Sequence, residues 1–147
     1  MDFKRVTLSD YALCMKMMKD FYTIDNYPFS ELKARKCFEE IIRNDHLGRF
    51  WLLYRNRLPI GYIILTFGFS FEYGGKDAFI DEFYLIPGER RKGFGSMTLE
   101  KLKEKAKQLD IKAIHLEVEK TNQVGNRLYR QVGFEGNNRS LLTQKID

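Results

Sequence analysis

Between an apolar run and an amphipathic one the chain reads Arg90-Arg91-Lys92-Gly93-Phe94-Gly95-Ser96. In a strand-to-helix setting, successive backbone N–H groups and the positive end of the helix converge on an anion. Gly93 and Gly95 let the main chain turn sharply and approach a ligand closely, because a side chain at either place would stand between amide and phosphate. Arg91 and Lys92 add charge at the rim. These residues describe a pyrophosphate cradle. It is neither of two familiar phosphate loops: no Gly-Lys-Ser/Thr follows the second glycine, and Gly-x-Gly-x-x-Gly is not completed.

A second candidate is the pair Asp81-Glu82 within the apolar run Ala78 to Ile86. Alternation sends neighbouring strand side chains to opposite faces, so only one of the two is expected to reach a given site. His115 lies between Ile114 and Leu116 and His46 in a polar loop, and both read as structural or solvated groups. Cys14 and Cys37 sit in helix-like segments without the spacing of a metal or redox pair. Two reduced thiols and no metal site are expected.

The elements that must hold these groups follow from periodicity. A short strand at Phe3 to Thr7 leads through the start signal Thr7 to Asp10 into a helix with Leu8, Ala12, Met15 and Met18 on one face. Met15, Met17 and Met18 read as core. After Asn26-Tyr27-Pro28-Phe29, Ser30 caps a second helix running to Asn44. Phe50 to Tyr54 and Leu58 to Phe67 form a hairpin around Arg55-Asn56-Arg57, and Ala78 to Ile86 is a further strand after Gly74-Gly75. A helix from Gly95, a strand at Ala113 to Val118, a short helix at Gln123 to Gln131 and a closing strand over Arg139 to Gln144 complete the order βααβββαβαβ. The expected fold class is α/β, a mixed sheet covered by helices, in one domain over 1–147.

The bulk numbers narrow the class. Of 147 residues, 25 are lysine or arginine and 20 are aspartate or glutamate, a net charge of +5 that suits an anionic partner. The bases are interspersed with acids, as in Lys101-Leu102-Lys103-Glu104-Lys105, which argues against a nucleic-acid surface. No run approaches the roughly 18 apolar residues of a membrane span, and the start lacks a signal-peptide core, so a cytoplasmic protein is expected.

With strand, turn and helix in place, the chain resembles the GNAT superfamily of acetyl-CoA-dependent N-acetyltransferases. Its signature Arg/Gln-x-x-Gly-x-Gly/Ala is met by Arg90, Gly93 and Gly95. The run Asn122 to Phe134 is similar to the family's second motif, an asparagine seven residues before a tyrosine, Tyr129, that leads into Gly133-Phe134. One departure is Gly125, where relatives usually carry alanine; a glycine inside a helix costs about 0.5–1 kcal/mol.

The resemblance implies acetyl-CoA as cosubstrate. Backbone groups of the Phe83-Tyr84-Leu85 strand would pair with the pantetheine arm and supply an oxyanion donor. Amides of Arg91, Lys92, Gly93, Phe94, Gly95 and Ser96 would hold the pyrophosphate, and Asn122 would touch the cofactor. It implies Tyr129 as general acid, a phenol with an ordinary pKa of about 10 that keeps a proton for the leaving sulfur. A carboxylate base is implied at Asp81, with Glu82 as the alternative. The acceptor, a primary amine on a small molecule, polyamine, aminoglycoside or peptide, is expected near Tyr27, Glu72 and Asp77, where acids and aromatics favour a cation. An inactive acyl-CoA sensor is the competing reading, and a homodimer is possible for such a sheet.

Overall fold

The computed structural model describes residues 1–146, and the chain divides into two compact units, Met1–Glu117 and a second beginning at Val118. The first unit opens with β1 (Asp2–Arg5) and a single 3-10 turn, in which the Asp10 carboxylate accepts from the Thr7 N–H at 2.9 Å. Helices α1 (Tyr11–Ile24) and α2 (Glu31–Arg43) follow, and the Ser30 hydroxyl caps α2 by accepting from the Lys33 N–H. Strands β2 (Gly48–Arg55) and β3 (Leu58–Ser70) are joined through Asn56 and Arg57, both at positive φ, the twist that a two-residue hairpin turn requires. Strand β4 (Gly75–Leu85), helix α3 (Phe94–Gln108) and the three-residue strand β5 (Ala113–His115) end the unit.

The strands lie in the order β1-β2-β3-β4-β5, antiparallel except for the parallel β4–β5 pair that the α3 crossover connects. One sheet face carries Phe50, Leu52, Tyr62, Ile64 and Tyr84, which pack with Cys14, Met15, Met17 and Met18 of α1 and Phe38 of α2. Burial pushes the Cys14 thiol up to about 12, so it stays a protonated core group. The opposite face is under α3: Lys101 lies over the Phe3 ring and Arg55 over Phe94. Leu53, Ile63 and Leu65 on the sheet are buried, as are Leu99 and Leu102 on the helix.

The second unit holds α4 (Gln123–Gln131). The expected closing strand over Arg139 to Gln144 does not form: residues 139–146 carry no regular structure, and Leu141 and Leu142 are exposed. A strand needs a partner, and no ladder reaches this segment among the described residues; the Arg139 N–H instead closes a local turn on the Asn137 side-chain oxygen. The strand expected to reach Val118 stops at His115, where pairing with β4 ends. No described helix is long and apolar enough to cross a membrane.

Candidate active site

Strand β4 breaks its own alternation. Ile64 pairs with Glu82 while Leu65 pairs with Ile80, so Asp81 is an extra residue, a β-bulge opposite a regular β3. The expectation that Asp81 and Glu82 point to opposite faces fails for that reason. Glu82 shares the face of its partner Ile64, under α1 and α2, and the Asp81 carboxylate is close enough to raise both Glu82 and Tyr22 of α1. Both carboxylates serve one side of the sheet.

Their surroundings differ. Glu82 accepts from the Tyr22 hydroxyl at 2.6 Å and the Tyr62 hydroxyl at 2.7 Å. Desolvation by burial lifts Glu82 above the ordinary carboxylate range, the two phenols oppose that rise, and Asp81 adds to it. Burial and the facing carboxylate hold both phenols firmly protonated. Asp81 reaches solvent and makes no side-chain hydrogen bond among the described residues, yet the protein closes round it enough to raise its carboxyl too. Glu82 is thus a fixed acceptor, and Asp81 is the carboxylate with lone pairs to offer.

At the same place β4 loses its second neighbour. Pairing with β5 covers only Asp77 to Phe79. Beyond Phe79, β4 is held on one side, by β3. The Ile86 N–H donates to Ile60 O at 2.8 Å, which fixes the alternation: Tyr84 faces β3, and the main-chain groups of Phe83 and Leu85 face the open side. One of these is engaged, since Arg90 Nε donates to Leu85 O at 2.8 Å with its guanidinium over the Tyr84 ring. The signature arginine therefore pins the turn back onto the strand.

The turn itself runs from a 3-10 segment, Pro87–Glu89, into α3. Arg91 (φ 61°) and Gly93 (φ 84°) both adopt the left-handed conformation, which folds consecutive N–H groups toward a common side. The first helical bond is Met97 N–H to Gly93 O at 3.1 Å, so the N–H groups of Phe94, Gly95 and Ser96 are first-turn donors without helical acceptors. Glu89 gathers the nearby cations, with Arg55 at 3.2 Å and Lys92 at 3.6 Å. Replacing Gly93 by alanine puts a Cβ at a φ that costs about 1–2 kcal/mol for an ordinary residue. The expected result is a several-fold weaker hold on acetyl-CoA in a calorimetric titration.

In the second unit Asn122 caps α4, its side-chain oxygen accepting from the Gly125 N–H at 2.9 Å. This accounts for Gly125: a Cβ there would stand 2.6 Å from the Asn122 side-chain nitrogen, so an alanine would displace the cap. Tyr129 packs edge-on against Phe134, and burial raises its phenol above the ordinary value, which preserves its proton at neutral pH.

The residues expected around the acceptor are distributed unevenly. Tyr27 follows α1, its N–H bonded to Tyr22 O, and Glu72 is exposed in the β3–β4 turn. Asp77 is mostly covered and is engaged by His115, whose Nε2 lies 3.0 Å from its carboxylate. Sequence reasoning set His115 aside. The signal for the pair lies in the register, which brings β5 beside β4 only at Asp77 to Phe79. Among the described residues no three His, Cys, Asp or Glu side chains gather as a metal site.

The sequence model of the acetyltransferase (GNAT) family matches residues 14–134. The chain matches no curated protein. Among solved structures it is similar to an integron cassette protein from the mobile metagenome of Cole Harbour Salt Marsh, with 30% identity, a TM-score of 0.87 and coverage of 99% of this chain and 90% of that one. A predicted acetyltransferase of Clostridium acetobutylicum, solved with acetyl-CoA, has the same fold at 20% identity and a TM-score of 0.78, covering 97% and 95%. So has an aminoglycoside antibiotic 6'-N-acetyltransferase of Acinetobacter haemolyticus, at 19% identity and 0.71, covering both chains fully.

Proposed function

The chain belongs to the acetyltransferase (GNAT) family, and we propose that it moves the acetyl group of acetyl-CoA onto a primary amine by direct attack in a ternary complex. The observation that carries this reading is the β4 edge. Its Phe83 and Leu85 main chain, without a strand partner on the open side, leads through the Pro87–Gly93 turn to the first-turn N–H donors of α3, an arrangement suited to a strand-like arm ending in a pyrophosphate.

Three tasks follow from the chemistry. An ammonium must lose a proton before its nitrogen can attack; the tetrahedral oxyanion must be stabilised; the departing thiolate must gain a proton. Asp81 takes the first, because burial raises its carboxyl above the ordinary value and it carries no competing hydrogen bond among the described residues, while Glu82 remains the alternative base. Main-chain N–H groups of Phe83 and Leu85, on the open side, supply the oxyanion donor; Tyr84, whose main chain faces β3, does not. Tyr129 gives its proton to sulfur, and Asn122 contacts the cofactor, as the family resemblance assigns them.

Tyr27, Glu72 and Asp77 are proposed to favour a cationic acceptor. Glu72→Ala is expected to raise the KM for the amine up to about fivefold, the effect of one exposed ion pair, with kcat unchanged; an unaltered KM removes Glu72 from the acceptor site. The function itself is tested by titrating the protein with acetyl-CoA and following thiol release against spermidine, kanamycin, phenethylamine and a lysine peptide. Binding with turnover supports the enzyme. Binding without turnover on any amine favours an acyl-CoA sensor, and absence of binding sinks both.

A further inference from the structure

The proposed reaction gives His115 no part, and it stands on the same sheet face as the carboxylate pair. His115 is the last residue of β5 and pairs with Phe79. Its ring centroid lies 5.0 Å from Phe79 and 5.4 Å from Tyr73, and its Nε2 lies 3.0 Å from the Asp77 carboxylate. The His115 and Asp77 side chains are 28% and 14% exposed, so the pair is largely shielded from water yet reachable. A carboxylate only accepts, so Nε2 carries hydrogen in either charge state and the basic lone pair is on Nδ1.

Position relates this lone pair to the reaction. Asp81 lies two residues beyond Phe79 on β4, on the same face, and is therefore a diagonal neighbour of His115. The two side chains therefore border one stretch of the sheet face, with no direct hydrogen bond between them among the described residues. The other charged or titratable groups bordering the ring are few. They are Tyr73, packed against it, and Asp81, Glu82 and Tyr22 farther along the same face; Lys76 of β4 stands on the opposite face, its ammonium over the Phe67 ring at 4.8 Å. Strand β5 adds no titratable group besides His115.

We infer that His115, oriented by Asp77, is the proton relay of this site, receiving through one water the proton that the acceptor ammonium gives up at Asp81. The inference rests on the acetyltransferase reading. The atoms balance as follows: the ammonium loses one proton to Asp81, which passes it by way of His115 Nδ1 to solvent. The freed nitrogen lone pair forms the C–N bond and the C–S bond breaks. The thiolate takes a proton from the general acid, the nitrogen's second proton restores that acid by way of solvent, and one proton is released per acetylation. Asp77 is a positioning residue, acting through the imidazole.

The test compares wild type, His115→Gln, Asp77→Asn and the double variant, with spermidine, kanamycin, phenethylamine and a lysine peptide as acceptors. His115→Gln is expected to keep the wild-type melting temperature and acetyl-CoA affinity while kcat at pH 7 falls about tenfold or more, as for loss of a proton-transfer group. The deficit shrinks toward about pH 9–10, where the amine deprotonates unaided, and added imidazole restores part of it. Asp77→Asn gives a smaller loss, and the double variant is no worse than His115→Gln. A loss equal at every pH and untouched by imidazole overturns the relay alone, since wild-type turnover then still supports the enzyme. A wild-type protein that acetylates none of these amines overturns the relay together with the reading beneath it.

Discussion

Tyr129→Phe is expected to lower kcat by about 10²–10⁴-fold, the range for removing a general acid, with acetyl-CoA affinity unchanged. The substitution deletes one oxygen and keeps the ring that packs against Phe134, so stability is not the cause. Burial already holds the phenol above its ordinary value, which keeps the acid form intact well into the alkaline range. Single-turnover thiol release from acetyl-CoA isolates the step. A variant that releases thiol at the wild-type rate assigns Tyr129 to packing and moves the search for the acid elsewhere.

Glu82→Leu is the second large effect, and it falls first on stability. The leucine fills a similar volume but strands the Tyr62 hydroxyl, on a fully buried residue, and the Tyr22 hydroxyl, each of which now donates to Glu82. The expected cost is roughly 2–4 kcal/mol, from two polar groups left without their acceptor, or about 5–15 °C in melting temperature. Adding Tyr62→Phe should recover part of that loss, because the orphaned group goes with it.

The pH dependence has a definite sign. The Asp81 and Glu82 carboxyls are raised above their ordinary values of 3.8 and 4.5, so the folded protein binds protons more tightly there than the unfolded chain. The stability they contribute is full below those ordinary values and is lost as pH rises through the folded-state values. Melting temperatures of the wild type should therefore decline across that window, and those of an Asp81→Asn, Glu82→Gln variant should be flatter.

Much of this was legible in the residues. The glycine turn and the Asn122 to Phe134 run pointed to the family, and every element up to α4 was readable from periodicity and caps, because those signals are local. What escaped is non-local. The bulge at Asp81 arises from registers on either side of one residue, and nothing in Ile80-Asp81-Glu82 announces it. Glu82's two phenols come from residues 60 and 20 positions away. The His115–Asp77 pair depends on where a parallel strand stops. The 139–144 segment has strand-like composition yet joins no ladder among the described residues, so propensity alone overstated it.

The three-rung union of β4 and β5 also bears on how the protein behaves before its cosubstrate arrives. A half-paired strand with main-chain donors facing outward is a template for another chain, and it invites self-association. The ligand that fits this edge would then act as a removable sixth strand, and its saturation would raise the folding free energy by mass action. Solutions of the protein should accordingly cloud later on heating, and oligomerise less on storage, when acetyl-CoA is kept in excess.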